Sequence, residues 1–416
     1  MNPFNDNDTQ RWPKHLGWSA KQGRILTAEG LAAAYYTADR GFDFAETELP
    51  HYHLRQSRTS DGSDTRAIFR QWRQQQGNTW NKAPVVGAWR RTLFYGAWEC
   101  TTDADEDVYN LQTPSLFIDL RLPRTRLRSV DRVNVTCLDD LTGDDLRKFA
   151  RQHVFGGYTV MQKVDATSDQ SSNDKGNAHY PLVCTRHHIM DWNFTGTPRN
   201  RPNKWYVEVD DRQDPPARWK EWAYAKNDHG QHYYCEWWES LLTAKDPDGG
   251  SSIPCLALRQ CPTDDPKAAA DGLLIVVGSH FNYLFDHRTR SVADAMQPKG
   301  SLVETVDALL EDKDETMARA WLELRGGHGR ITATAGWKID AATEFWKEGT
   351  LLFESRSDVQ VVVSDDDPQD LDSLACWHDH AWVRWKGLRW EIVECSFPSA
   401  QELQSYICRG LPELAP

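Results

Sequence analysis

The stretch "VVGAWRRTLFYGAWECTTDADEDVYNLQTPSLFIDLRLP", Val85 to Pro123, decides how this chain is read. Aromatic and β-branched residues recur in it between Gly, Asp and Pro, which predicts three short strands. Arg90, Arg91, Gln112, Asp119 and Arg121 sit inside those strands. Successive side chains of a strand point to opposite faces. In "FIDLRL", Ile118, Leu120 and Leu122 therefore share one face, and Phe117, Asp119 and Arg121 the other. Such a polar face either meets solvent, with ion pairs tying neighbouring strands, or lines the inside of a barrel around a small molecule.

Outward from this stretch the texture is the same. "DVYNLQT", "SLFIDLRLP", "GGYTVMQKV", "RHHIMDWNF" and "KWYVEVDD" predict strands separated by Gly, Pro, Asn and Asp clusters. "LTGDDLRKFARQH" predicts a short helix capped from Thr142. After the linker "TAKDPDGGSSIP" a second set follows: "PCLALRQC", "GLLIVVGSHFNYLFDHR", "MARAWLELRGG", "GRITATAGWKI", "TLLFESR", "VQVVVSDD", "AWVRWKG" and "RWEIVECSF". "RGGHGR" at Arg325 reads as a hairpin turn. An acid-Leu-Arg core recurs in "LFIDLRLP" and "AWLELRGG" and agrees with two similar β units in tandem. The alternation within "RHHIMDWNF" puts Arg186, His188 and Met190 on one face and His187, Ile189 and Asp191 on the other. In "KWYVEV", Trp205 and Val207 oppose Tyr206 and Glu208.

The expected organisation is a helical N-terminal extension over 1–84, a first barrel over 85–244, a second over 254–398 and a C-terminal tail over 399–416. Within the extension, "SDTRAIFRQWRQQQG" places Ile68, Phe69 and Trp72 on one helical face. The segment "ATSDQSSNDKGNAHY" reads as a polar loop.

Composition narrows the function. The formal net charge of −13 argues against a nucleic-acid or anionic-membrane partner, since both select a basic face. No run of about 18 apolar residues is present, and the first residues lack the apolar core of a signal peptide. Nine cysteines without a CxxC pair suggest reduced thiols and a cytoplasmic location. GxGxxG, P-loop and GxSxG signatures are absent, and no cofactor is expected. "HYH" at His51 and "HDH" at His378 have a spacing that suits a metal only on a strand; both fall in turn-rich segments without a third ligand, so no metal site is expected. Cys100 reads as a buried thiol more than as a nucleophile.

From about Val85 to Pro398 the chain resembles a lipocalin-like, two-barrel family of fungal and bacterial proteins, one fungal member of which is an interactor of an Hrr-type casein kinase. The features that carry the resemblance are the Trp-Arg-Arg opening at Trp89, "LQTPSLFIDLRLP", "RHHIMD", "YYCEWWESL", "GLLIVVGSHFNYLFDHR" and "RWEIVECSFP". It implies a mainly β fold, two lipocalin-like antiparallel β-barrels in tandem. It implies little about function, because unrelated functions share such barrels.

The expected function is binding of a small, partly apolar organic molecule with an anionic or carbonyl group in the first barrel. Trp89, Arg90, Gln112, Asp119, Arg121, Tyr206 and Trp237 are the candidate ligand-binding residues. Two alternatives remain. One is a cofactor-independent lyase, isomerase or cyclase in the same pocket, with His188 or Glu208 as general base, Arg186 in the same catalytic cluster, and Arg90 or Arg121 stabilising an enolate. The other is an interaction module, a homodimer or a complex with another protein formed through the N-terminal extension.

Overall fold

The computed structural model describes residues 85–96, 106–128, 130, 133–163, 182–192, 203–209, 217–223, 234–242, 253–261, 271–288, 302–363 and 377–412. The expected N-terminal helices with Ile68, Phe69 and Trp72, the polar loop near Ser171, most of the linker, His51 and Cys100 lie outside these residues.

The chain is mainly β. Eight antiparallel strands come first: β1 (Gly87–Gly96), β2 (Glu106–Gln112), β3 (Leu116–Pro123), β4 (His153–Lys163), β5 (Leu182–Asp191), β6 (Asn203–Val209), β7 (Arg218–Ala223) and β8 (Tyr234–Ser240). Each pairs with the next in chain order, and β8 returns to pair with β1, so the sheet closes into a barrel. Closure leaves no edge strand to pair with another chain. Between β3 and β4 lies the expected helix, α1 (Gly143–Ala150); the Thr142 hydroxyl caps its start by accepting from the Asp145 amide.

A second set of eight strands forms an antiparallel sheet: β9 (Cys255–Gln260), β10 (Asp271–Val277), β11 (His280–Asp286), β12 (Leu324–Thr332), β13 (Gly336–Ala342), β14 (Val359–Val363), β15 (Ala381–Trp385) and β16 (Leu388–Cys395). Its order is β13-β12-β11-β10-β9-β16-β15-β14. That is the same cyclic chain order, with first and last strands paired, but without a β13–β14 ladder. Beside β13 runs the segment around Leu351, which pairs with Lys338 and exchanges backbone hydrogen bonds at Ile339 and Trp337.

Four local readings change. "MARAW" lies not on a strand but on α3 (Glu315–Trp321), which pairs with α2 (Leu302–Glu311); the Asp314 carboxylate caps α3 at the Met317 amide and starts a helix there. "RGGHGR" is no turn. It lies within β12, where its glycines admit large neighbours: a Cβ on Gly327 would sit 2.5 Å from the Tyr283 ring, and one on Gly329 would collide with the Lys338 carbonyl. The 399–416 segment holds α4 (Ala400–Ile407), whose Leu403, Tyr406 and Ile407 pack into the core of the second sheet instead of trailing as a tail. The acid-Leu-Arg echo falls on the third strand of the barrel and the fourth of the second sheet, so it does not mark equivalent strands.

The two sheets share a core. Leu116, Ile118, Leu120 and Leu122 of β3 pack with Leu273, Ile275, Val277 and Leu284 of β10 and β11. All eight residues of β3 are therefore buried, one face inside the barrel and the other against the second sheet. Polar contacts pin the junction. Asn282 Nδ2 donates to the Ile118 carbonyl at 3.0 Å, and Tyr109 stacks on His328 with ring centroids 4.3 Å apart. Thr113 donates to Glu394, and Arg126 pairs with Glu348 at 2.6 Å. No helix among the described residues is long and apolar enough to cross a membrane.

The crowding at β12 is testable. Gly329→Ala must displace the β13 backbone or the Phe281 ring and should lose about 1–3 kcal/mol or more, read by urea denaturation. Gly143→Ala, whose new methyl would meet only ordinary contacts at 3.6 Å, should leave stability unchanged or slightly raised.

Candidate functional site

The opposite faces of the barrel strands converge on the lumen. Side chains that would be neighbours only on a wet surface meet there across non-adjacent strands. Arg121 on β3 donates to Glu236 on β8 at 3.2 Å, and Arg186 on β5 lies 3.7 Å from Asp119 on β3. Thr159 on β4 donates to Gln112 on β2 at 2.8 Å. Such contacts can form only through the interior of the closed sheet, so the polar face of "FIDLRL" is the inner one.

The lumen has an aromatic part and an ionic part. Trp89, Trp205, Trp219 and Trp238 cluster with Val85, Val108, Cys184 and Val207. Trp219 stacks on Trp238 at 5.4 Å and meets the edge of Trp89 at 6.0 Å. In the ionic part Arg91 bridges Glu106 at 3.0 Å and Glu236 at 2.9 Å, while Arg121 forks onto Asp119 at 2.6 and 3.3 Å. Arg186 lies between Phe117, 4.1 Å from its guanidinium carbon, and Trp205, at 4.9 Å. Its Nη2 donates to Asn110 Oδ1 and Gln112 Oε1 at 3.1 and 3.2 Å.

Electrostatics follow from this packing. Burial opposes ionisation of Asp119, but the charge and hydrogen bonds of Arg121, then Arg186, outweigh it and hold the carboxyl below its usual range. Burial likewise opposes charge on Arg121, and Asp119 and Glu236 overcome it and raise its pKa. Glu221 behaves differently. Burial first, then the facing Glu236, push its carboxyl up to about 8, against the opposing pull of Arg121, Tyr234 and Arg186. Glu221 and Glu236 are direct cross-strand partners, and the Tyr234 hydroxyl donates to Glu221 at 2.7 Å. Cys184 is sealed in the lumen, and burial raises its thiol pKa, which makes it a poor nucleophile.

A bulge builds the third part. On β5 one extra residue separates His188 from Met190, so Gly157 faces His188 while Gly156 faces Met190. The alternation shifts by one at that point. Asp191, expected on the face opposite His188, turns to the same side and accepts from His188 Nδ1 at 2.6 Å and meets His153 Nε2 at 3.0 Å. Met190 and Trp192 pass to the shared outer core. The His188 ring stacks on Phe155 at 4.6 Å.

The predicted residues therefore divide. Trp89, Gln112, Asp119, Arg121, Arg186 and His188 come together in the lumen. Arg90, Glu208, Tyr206 and Trp237 do not. Arg90 is exposed beside Asp107; Glu208 bonds Lys220 at 2.7 Å and the Trp222 indole at 2.8 Å on the outer face; Trp237 is 41% exposed, with Lys220 over its ring. Tyr206 is buried but alternates with the inward Trp205 and Val207. The cause is parity: each of the four lies one residue from an inward neighbour. Arg91, Asn110, Glu106, Glu221, Glu236 and His153 were missed as site residues. For Arg91 and Glu236 a signal existed, since each sits two residues from an inward Trp, at Trp89 and Trp238. Among the described residues no group of three or more His, Cys, Asp or Glu is arranged to hold a metal; His378 and His380 lie on a single 3₁₀ turn.

No family model and no curated protein matches this chain. A solved structure to which it is similar is that of an uncharacterized protein from Saccharomyces cerevisiae, 13% identical, covering 74% of this chain and 98% of that one with a TM-score of 0.36.

Three outcomes check the site. Arg121→Met leaves Asp119 and Glu236 buried without their shared cation and should lose about 3–5 kcal/mol in urea denaturation. Arg90→Ala, on an exposed pair, should change stability by about 0–1 kcal/mol. For Glu221 the folded pKa lies above the unfolded value of 4.5, so the native state holds the proton longer. Its contribution is then complete below about 4.5 and is lost as pH rises toward about 8. Melting temperatures of Glu221→Gln across this range should fall less steeply than those of the parent chain.

Proposed function

We propose that the first barrel holds one small, partly apolar organic molecule whose carbonyl or anionic group meets the Arg186 side of the lumen. One observation carries this reading. Arg186 Nε, Asn110 Nδ2 and the indole N–H groups of Trp205, Trp219 and Trp238 are buried without a hydrogen-bond partner, and all five are donors. Against them stands, among the described residues, one lumen carboxylate oxygen in the same condition, Glu236 Oε2. Buried polar groups are normally paired, and each orphan costs about 1–3 kcal/mol. A surplus of donors between aromatic walls suits a molecule that is apolar over most of its surface and presents oxygen acceptors at one end. Arg186 is the natural anchor, because Phe117 and Trp205 flank its guanidinium group while its Nε–H has no hydrogen-bond partner.

This reading goes with a lipocalin-like architecture in the cytoplasm, the second sheet being a companion barrel open at one ladder, and it requires no cofactor. A second reading is acid/base catalysis in the same lumen, as a lyase, isomerase or cyclase. The hydrogen-bonded His188–Asp191–His153 set favours it, since a carboxylate that orients an imidazole is the usual support for a proton shuttle. Glu208 has no part in it, because its carboxylate is engaged on the outer face.

Native mass spectrometry of the purified full-length chain should detect a bound small molecule. Arg186→Gln, checked for an unchanged far-ultraviolet spectrum, should weaken its retention about ten- to a hundredfold, the worth of a lost charge-assisted hydrogen bond. His188→Ala should leave binding intact; loss of turnover alone in that variant would single out the enzyme. A folded chain that carries no ligand, and retains none from the lysate it was purified from, would defeat the binding reading.

A further inference from the structure

Among the described residues, the arginine–carboxylate pairs of the lumen form without Glu221. Three guanidinium groups, Arg91, Arg121 and Arg186, face three carboxyl groups, Glu106, Asp119 and Glu236, in contacts of 2.6–3.7 Å. Glu221 is a fourth acid on the same inner surface. Its register partner on β8 is another acid, Glu236, and both side chains are buried. It accepts from the Tyr234 hydroxyl, and among the described residues no cation forms an ion pair with it. On the β4–β5 side Asp191 is taken up by His153 and His188. An ionised Glu221 would place a second negative charge beside Glu236 in the buried interior, and burial there favours the proton staying on the group.

The same balance constrains the ligand. A carboxylate guest would bring one more negative charge among carboxyl groups already matched to every arginine. An uncharged oxygen acceptor would need only donors, and Arg186 Nε, Asn110 Nδ2 and three indole N–H groups are orphan donors among the described residues of the lumen.

We infer that Glu221 is the resident proton carrier of the barrel, neutral beside Glu236, and that the site takes an uncharged carbonyl compound, a ketone, ester, lactone or amide, in preference to a carboxylate. The inference rests on the reading of the lumen as a binding site and chooses between the two ligand chemistries that reading leaves open. It also couples binding to protons. When Glu221 ionises, the lumen gains one more negative charge on the side of the carbonyl oxygen, and the ligand is expelled.

The experiment has two arms on the full-length chain. The first uses no ligand. Infrared difference spectra between the parent chain and Glu221→Gln at pH 6 should contain the carbonyl band of a neutral carboxylic acid, and the band should fade as pH rises through about 8. The second titrates 2-acetylnaphthalene and 2-naphthoate, a ketone and a carboxylate of similar shape, against tryptophan fluorescence. The ketone should bind about tenfold or more tightly than the carboxylate at pH 7. Above the transition its affinity should fall by about tenfold per pH unit in the parent chain and stay level in Glu221→Gln, whose side chain cannot ionise. Absence of the acid band at pH 6 overturns the proton carrier while leaving the binding reading intact. Tighter binding of 2-naphthoate, weakened by Arg186→Gln, overturns the choice of an uncharged guest and leaves Arg186 as an anion anchor. A chain that binds neither probe overturns this inference together with the reading on which it rests.

Discussion

A guanidinium group can leave water only if carboxylates and hydrogen bonds surround it, and the first barrel is organised around that requirement at Arg121. Asp119 takes its fork from two residues away on the same strand, and Glu236 reaches it from β8. Because β3 and β8 are separated by β1 and β2 in the closed sheet, the contact exists only when the ring is complete. Arg91 shares Glu236 and extends the network to Glu106; Arg186 shares Asp119 and extends it to Asn110 and Gln112. Closure, charge pairing and the placement of the candidate site are thus one event. A buried network of this kind contributes little net stability compared with an apolar core, but breaking one member is costly.

The second sheet makes this arrangement durable. β3 could have been a barrel strand with one wet face. Instead Ile118, Leu120 and Leu122 pack against β10 and β11, so the strand that carries Asp119 and Arg121 is fixed from outside as well as from within. The glycines of β12 belong to the same fit: a Cβ on Gly326 would lie 2.8 Å from Val154 of β4. Close packing of this kind leaves little room for the site to rearrange by shifting strands.

Within the lumen three chemistries sit side by side: an aromatic floor of stacked indoles, an arginine–carboxylate lattice, and a histidine–aspartate–histidine bridge. Glu221 is the group that fits none of them, and that misfit is informative. Cross-strand like charges are avoided unless one is neutral. Its place opposite Glu236, under the Tyr234 hydroxyl, makes it the titrating member of an otherwise matched interior.

The sequence by itself determined the strands, because their aromatic and β-branched runs and the turn residues between them are local signals: β1 to β6, the helix capped at Thr142, and most of the second sheet were legible. It also determined that one face of "FIDLRL" is polar and that Trp205 opposes Glu208, since alternation needs no tertiary information. Only the tertiary structure decided which face is inner. Parity is relative, so Arg90 and Arg91 are equivalent until closure puts Trp89 and Arg91 inside, and the same holds for Trp237 against Glu236 and Trp238. The bulge after His188 was equally invisible, because an extra residue changes no composition, yet it alone brings Asp191 to the two histidines. "MARAW" was misread for a related reason: its apolar residues suit either period, and what selects the helix is the Asp314 cap together with the neighbouring α2 on which it packs. The charge balance that sets Glu221 apart depends on distances across the ring, which no single strand contains.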